Sequence, residues 1–289
     1  MAEVDLHLHT TFSDGTLTPS ELVRLCASNG VKIISVSDHD STEGLREAEE
    51  AIHQFSDMEL IPGVELSTDV PNAEVHLLGY FVDVEDANFQ RVLARFREGR
   101  VERGRSMVER LNELGLGITW ERVQQIADGA SIGRPHIAQA LVEAGYVKYP
   151  KDAFDKYIGR NGVAYVERIR VTPVDAVGIL IDNGALPVLA HPTYYDDKSQ
   201  QGDDSGLRTV LQELKDAGLV GMEVYYKDYT PDQVVQLKRL ADDFDLVPCG
   251  GTDYHASGNP GEPEPGAAGP AMDTVVELKR LKKERAVAS

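Results

Sequence analysis

Short apolar, β-branched runs recur along the chain, with stretches of helical periodicity between them. "VDLHLH" (4–9), "KIISVSDH" (32–39), "MELIPGVELS" (58–67), "EVHLLGYF" (74–81), "LPVLAHP" (186–192), "GMEVYY" (221–226) and "DLVPCGGTDYH" (245–255) have the composition of strands. Their alternation with helical patterns predicts an α/β fold with a mostly parallel sheet. Helix starts set the phase of this reading. Thr18-Pro19-Ser20-Glu21, Thr172-Pro173-Val174-Asp175 and Thr230-Pro231-Asp232-Gln233 each offer a capping hydroxyl, a proline at the first helical position and an acid or amide at the third. Asn29-Gly30 and Asn183-Gly184 fall where a helix should stop in a left-handed residue.

From Asn88 to about Val166 the strand signal gives way to helices, broken near Gly115 to Gly117, Asp128 to Gly133 and Gly145 to Asp152. This predicts a helical insertion over 88–166 within a frame made of 1–87 and 167–289. The first of these helices carries Arg91, Arg95, Arg97, Arg100, Arg103, Arg105 and Arg110 against Glu98, Glu102 and Glu109, which reads as a solvated face with i,i+4 pairs. "ASGNPGEPEPGAAGP" (256–270) is a Gly/Pro-rich loop, and a terminal helix is expected from about Asp273.

Bulk properties narrow the classes. The 289 residues suit one α/β barrel of about 250 residues as well as two smaller domains. No apolar run approaches the roughly 20 residues that span a bilayer, "MAEVDLHLH" lacks a signal-peptide pattern, and two cysteines do not suggest a disulfide framework. A cytoplasmic enzyme with no membrane attachment is expected. A formal charge of -19 repels polyanions, which argues against a duplex nucleic acid partner; an anionic substrate would need metal ions or placed arginines.

Six of the eight histidines lie on the strand-like runs, most toward their C-terminal ends: His7, His9, His39, His76, His191 and His255, accompanied by Asp14, Asp38, Glu65 and Asp253. In a parallel barrel those ends meet at one face, and so many neutral imidazoles and carboxylates together point to metal binding. His7 and His9, two apart, share a face, as do Asp253 and His255. Glu65 ends an apolar stretch; buried and unpaired it would cost several kcal/mol, which a metal would offset. Asp38 and Asp40 fit capping or supporting roles, His53 the surface, and Cys26 and Cys249 packing. Glu223 finds no partner in the sequence and is left out of the site.

The ordered set "HLHTTFSDGTLTP", "VSDHDST", "GVELS", "EVHLLGY", "LAHP" and "GTDYH" resembles the polymerase-and-histidinol-phosphatase (PHP) family, in particular its small stand-alone bacterial phosphoesterases. The resemblance implies a distorted (β/α)7 TIM-like barrel with a helical insertion and two or three divalent ions, manganese, iron or zinc. It places His7, His9, Glu65 and Asp253 on one ion, with Glu65 bridging to a second held by His76 and His191. Asp14, His39 and His255 would hold a third; Asp14 stands where other branches have histidine. Asp14, His39, Glu65, His191 and His255 would thereby carry the catalysis, a metal-activated water attacking phosphorus. It also singles out "SIGRPHIAQAL", where Arg134 and His136 at a helix start would bind the phosphate.

The implied activity is hydrolysis of small nucleotides, such as adenosine 3',5'-bisphosphate or nucleoside monophosphates, by a monomer. Alternatives are 5'-3' exoribonuclease action on short RNA, histidinol-phosphatase-like activity and a non-catalytic metal-binding module. An amidohydrolase acting on C–N bonds also opens with H-x-H, but adds a strand-borne lysine for which only Lys227 is available.

Overall fold

The computed structural model describes residues 1–70, 73–167, 171–194 and 204–288. Eight strands are present among them: β1 (Val4–Leu8), β2 (Ile33–Val36), β3 (Glu59–Leu60), β4 (Gly63–Val70), β5 (Ala73–Tyr80), β6 (Leu186–Leu189), β7 (Gly221–Tyr226) and β8 (Val247–Gly251). They form a three-stranded parallel sheet, β1-β2-β3, and a five-stranded sheet, β4-β5-β6-β7-β8. β6, β7 and β8 are parallel, but β5 runs antiparallel to both β4 and β6. The sheet is mostly parallel, as expected, and β5 is the exception for a simple reason. Only residues 71 and 72 separate β4 from β5, and a connection that short can join only antiparallel neighbours. The run 58–67 is likewise two strands, because Pro62 has no N–H to continue a ladder.

The two sheets touch at both edges. Leu8 bridges Tyr254 in parallel fashion and His39 bridges Glu65, the latter through Asp40 N–H to Glu65 O at 2.9 Å. Both seams lie at the C-terminal ends of β1 and β2, where most of the histidines are.

Helices α1 (Pro19–Ser28) and α2 (Leu45–Ile52) follow β1 and β2, and α7 (Pro173–Asp182), α8 (Ser205–Ala217), α9 (Pro231–Asp243) and α10 (Met272–Ala288) surround the second half of the frame. α1, α7 and α9 start as read from sequence: Thr18, Thr172 and Thr230 accept from the N–H of Glu21, Asp175 and Gln233, each cap contributing about 1 kcal/mol. Gly30 and Gly184, both at φ +79°, end α1 and α7. These helices cover the sheets with one large apolar cluster, while Val4, Leu6, Leu78, Tyr80, Val188 and Cys249 form another with Val275 and Leu278 of α10. No helix among the described residues is long and apolar enough to cross a membrane.

Between β5 and α7 lie α3 (Ala87–Glu113), α4 (Trp120–Ala127), α5 (Arg134–Glu143), α6 (Pro150–Ala153) and a π-helical turn, Phe154–Ile158. α3 divides its loyalty: Phe89, Leu93 and Phe96 pack with the frame, whereas Met107, Val108 and Leu111 join a separate cluster with Val123, Ile137, Leu141 and Ile158. Its arginines are a solvated face only in part: Arg91, Arg95, Arg105 and Arg110 are exposed, while Arg97, Arg100 and Arg103 are half-buried. Arg97 and Arg100 bind Asp40, Arg103 donates to Val166 O at 2.8 Å, Arg110 reaches Tyr165 O, and Arg105 lies over the Trp120 ring. The cause is position. Arg100 continues the buried stripe of Phe89, Leu93 and Phe96 toward Met107, so its charge is turned inward.

Candidate metal centre

β1 delivers His7, fully buried, and His9 just beyond its end. The chain then folds back on itself, with Ser13 and Gly15 donating to Thr10 O, and a side chain at Gly15 would fall 2.5 Å from His9 O. Asp38 fastens this turn by accepting from Thr10 N at 2.7 Å, Thr10 Oγ1 at 2.6 Å and Ser13 Oγ at 2.6 Å. Asp14 is thereby brought to 3.2 Å from His255 Nε2 and 3.7 Å from both His9 Nδ1 and His39 Nε2.

Glu65, on β4 and 1% exposed, stands at the centre. Its Oε1 lies 2.8 Å from His76 Nδ1 and 3.1 Å from His191 Nε2; its Oε2 lies 3.3, 3.2 and 3.1 Å from His7 Nε2, His9 Nε2 and His39 Nδ1. Asp253 Oδ1 is 3.1 Å from His9 Nε2 and 3.4 Å from His7 Nε2. All nine residues expected as ligands thus converge. Three sets could each hold an ion: His7, His9, Glu65 and Asp253; His9, Asp14, His39 and His255; and His39, Glu65 and His76. His191 lies outside these sets but touches the same Glu65 oxygen as His76.

The donors fit a cation better than they fit one another. Nε2 of His7, Nε2 of His9 and Oδ1 of Asp14 are buried without an aligned hydrogen-bond partner, although carboxylate oxygens lie close to each. Imidazole nitrogens and carboxylate oxygens packed this closely call for positive charge among them, carried by a metal ion or, without one, by protons on the imidazoles. Backbone strain gathers here too: His191 (φ +24°), Asp253 (φ +49°) and Asp40 (φ +52°) hold conformations that cost about 1–3 kcal/mol in residues other than glycine.

The charges of the neighbouring side chains divide the histidines. Burial opposes charge on His9, but the attraction of the Asp253 and Glu65 carboxylates 3.1 and 3.2 Å from its Nε2 prevails and raises its pKa to about 10. Burial dominates at His39, aided by nearby Arg100, and lowers it to about 3. Glu65, Asp14 and Asp253 are desolvated, yet the surrounding imidazoles, and Lys227 beside Asp253, hold their pKa values well below the usual range.

At the start of α5, His136 Nδ1 accepts from Gly133 N–H at 2.9 Å and Arg134 lies over the Phe154 ring. This turn abuts the centre, since a Cβ at Gly133 would fall 3.2 Å from Arg100 Nη1 and 3.6 Å from Asp14 Oδ2. His53 is exposed, and Cys26 and Cys249 are buried.

β7 supplies what the sequence reading omitted. Glu223 is not partnerless: it is fully buried and bonds both His7 and the backbone of His191. Tyr226 donates its hydroxyl to Asp253 Oδ2 at 2.6 Å, and Lys227 donates to Asp253 O at 2.8 Å. The signal was available, because Glu223 sits between Met222 and Val224 just as Glu65 sits between Val64 and Leu66. Arg100 is the other omission, and its place on an apolar stripe was the clue.

Clustered imidazoles and carboxylates where α/β strands end define a metal-dependent hydrolase. A PHP domain family model matches residues 5–128. The chain is 33% identical over 262 residues to a 3',5'-nucleoside bisphosphate phosphatase of Chromobacterium violaceum, covering 90% of each protein. It is 34% identical over 252 residues to the 5'-3' exoribonuclease Rnm of Salmonella typhimurium, covering 87% of this chain and 84% of the relative. Among solved structures, an amidohydrolase from C. violaceum with bound sulfate and no metal superposes with a TM-score of 0.87 at 30% identity, covering 96% of both chains. The chain belongs to the PHP domain family.

Proposed function

We propose that the protein is a phosphoesterase that hydrolyses the phosphate esters of small nucleotides with two or three divalent cations, manganese, iron or zinc. The observation that carries this reading is Glu65 ringed by five imidazoles at 2.8–3.3 Å, with Asp253 and Asp14 closing either side. His7, His9, Glu65 and Asp253 would hold one ion; Glu65, His76 and His191 a second; Asp14, His39 and His255 a third. When bound, the ions neutralise the ester and supply a water of lowered pKa. The chain's own groups orient the ester. Arg134, His136 and the first N–H groups of α5 form a phosphate site beside the centre, with Arg100 flanking it. Tyr226 and Lys227 keep Asp253 in its left-handed conformation facing the ions.

The phosphatase and exoribonuclease named among the relatives support a phosphate ester over the amide that the name of the structural neighbour suggests. Lys227 is occupied with the Asp253 backbone instead of lying between two ligand sets. The frame fits a distorted seven-strand barrel if β3 and β4 are taken as one strand broken at Pro62, with 88–166 as an insertion that has its own apolar cluster.

Phosphate release by manganese-supplemented protein from adenosine 3',5'-bisphosphate, 5'-AMP, 3'-AMP and a short 5'-phosphorylated RNA tests this, with His7→Ala as control. Release from a small nucleotide, absent in the control, is expected. Stepwise shortening of the RNA alone would select the exoribonuclease reading, and silence on all four would overturn phosphoesterase action on nucleotides.

Metal uptake should depend on pH. His9 is protonated up to about pH 10 in the metal-free protein, so binding must expel its proton. The zinc dissociation constant, measured by chelator competition at pH 6, 7 and 8, should fall about tenfold per unit for each proton displaced. The stability that protonated His9 gives the metal-free fold is complete below about pH 6.5 and is lost as pH rises toward 10.

A further inference from the structure

β7 contributes no residue to the ligand sets, yet Glu223 reaches two of the histidines that face Glu65. Its Oε1 lies 3.0 Å from Nδ1 of His7, and its Oε2 accepts a 2.7 Å hydrogen bond from the backbone N–H of His191. An ionised carboxylate only accepts, so the first contact requires the imidazole proton to sit on Nδ1. In the neutral ring Nε2 of His7 is then the nitrogen that keeps its lone pair, free for an ion. That is the atom which faces Glu65 and Asp253 without an aligned partner.

The second contact acts on the backbone. His191 has φ +24°, a conformation that persists only when its surroundings enforce it, and Glu223 grips its N–H from below. The same residue presents Nε2 to Glu65 at 3.1 Å. Burying a carboxylate costs several kcal/mol unless charge compensates it, and a cation on the far side of His7 would do so through the ring.

We infer that Glu223 is a positioning residue for the metal centre: it fixes His7 in the Nδ1–H tautomer and holds the backbone of His191, so that both imidazoles offer Nε2 to the ions. The inference rests on the metal-centre reading above. A near-isosteric amide cannot replace Glu223. With the oxygen of Glu223→Gln kept on the His191 N–H, its NH2 faces His7 Nδ1 and drives the ring proton to Nε2, where the ion belongs. With the amide flipped, two donors meet at His191.

The test is zinc affinity of the full chain, measured by competition with a chromophoric chelator for wild type and Glu223→Gln, together with histidine 15N NMR of zinc-loaded wild type. Affinity of the variant is expected to fall about 10- to 100-fold. In wild type, His7 should show a protonated Nδ1 and a ligated Nε2. This spectrum decides the matter even if the variant fails to fold. Equal affinities, or a His7 ligated through Nδ1, would overturn the role of Glu223 while leaving the metal centre standing. Wild-type protein that takes up no zinc would overturn both.

Discussion

Glu65→Gln is expected to abolish phosphate release and to lower bound metal. An amide keeps the volume of Glu65 but replaces one oxygen with a donor, and both Glu65 oxygens face imidazole nitrogens, Oε1 two of them and Oε2 three. Whichever way the amide turns, one group of histidines meets N–H groups where it met a carboxylate oxygen. The negative charge that the proposed ions would share is lost as well. If that charge contributes about 4 kcal/mol to the transition state, turnover falls about a thousandfold. Phosphate release and metal content per chain, on protein whose circular dichroism matches wild type, check the result. Full turnover would remove Glu65 from the centre.

Arg100→Met should have the largest effect on stability. Arg100 Nε donates to Asp40 Oδ2 at 2.6 Å, and Asp40 is wholly buried. The arginine also reaches Ser67 Oγ, tying α3 to β4. Removing the cation leaves a carboxylate in the interior whose main compensation is gone, at a cost of about 3–5 kcal/mol. A urea midpoint well below wild type is expected, partly restored by adding Asp40→Asn. A single variant with an unchanged midpoint would mean that water reaches Asp40 when the arginine is absent.

What the sequence disclosed depends on how local each cause is. Caps at Thr18, Thr172 and Thr230 are decided within four residues, and the structure has all three. The histidines and carboxylates could be gathered at one face because the C-terminal ends of parallel strands converge, and the resemblance sorted His7, His9, Glu65 and Asp253 into one set. The direction of β5 could not be read from its own composition; it follows from the brevity of the 71–72 connection, a feature of the join and not of the strand. Glu223 and Arg100 were missed because a charged residue in an apolar pattern has meaning only through its partner. Those partners, His7 and Asp40, lie 216 and 60 residues away.

The seam between β1 and residues 252–255 also bears on synthesis. Asp5 accepts from Thr252 N–H and Oγ1 and from Gly266 N–H, so β1 is completed by residues made some 250 positions later. A ribosome-bound chain that has not yet exposed residue 253 holds His7 and His9 without Asp253 and His255, and with Asp5 unsatisfied. Closing contacts across some 250 residues is slow. The cluster is therefore complete only once residues 253–255 have folded against β1, and fragments that end before them lack part of it.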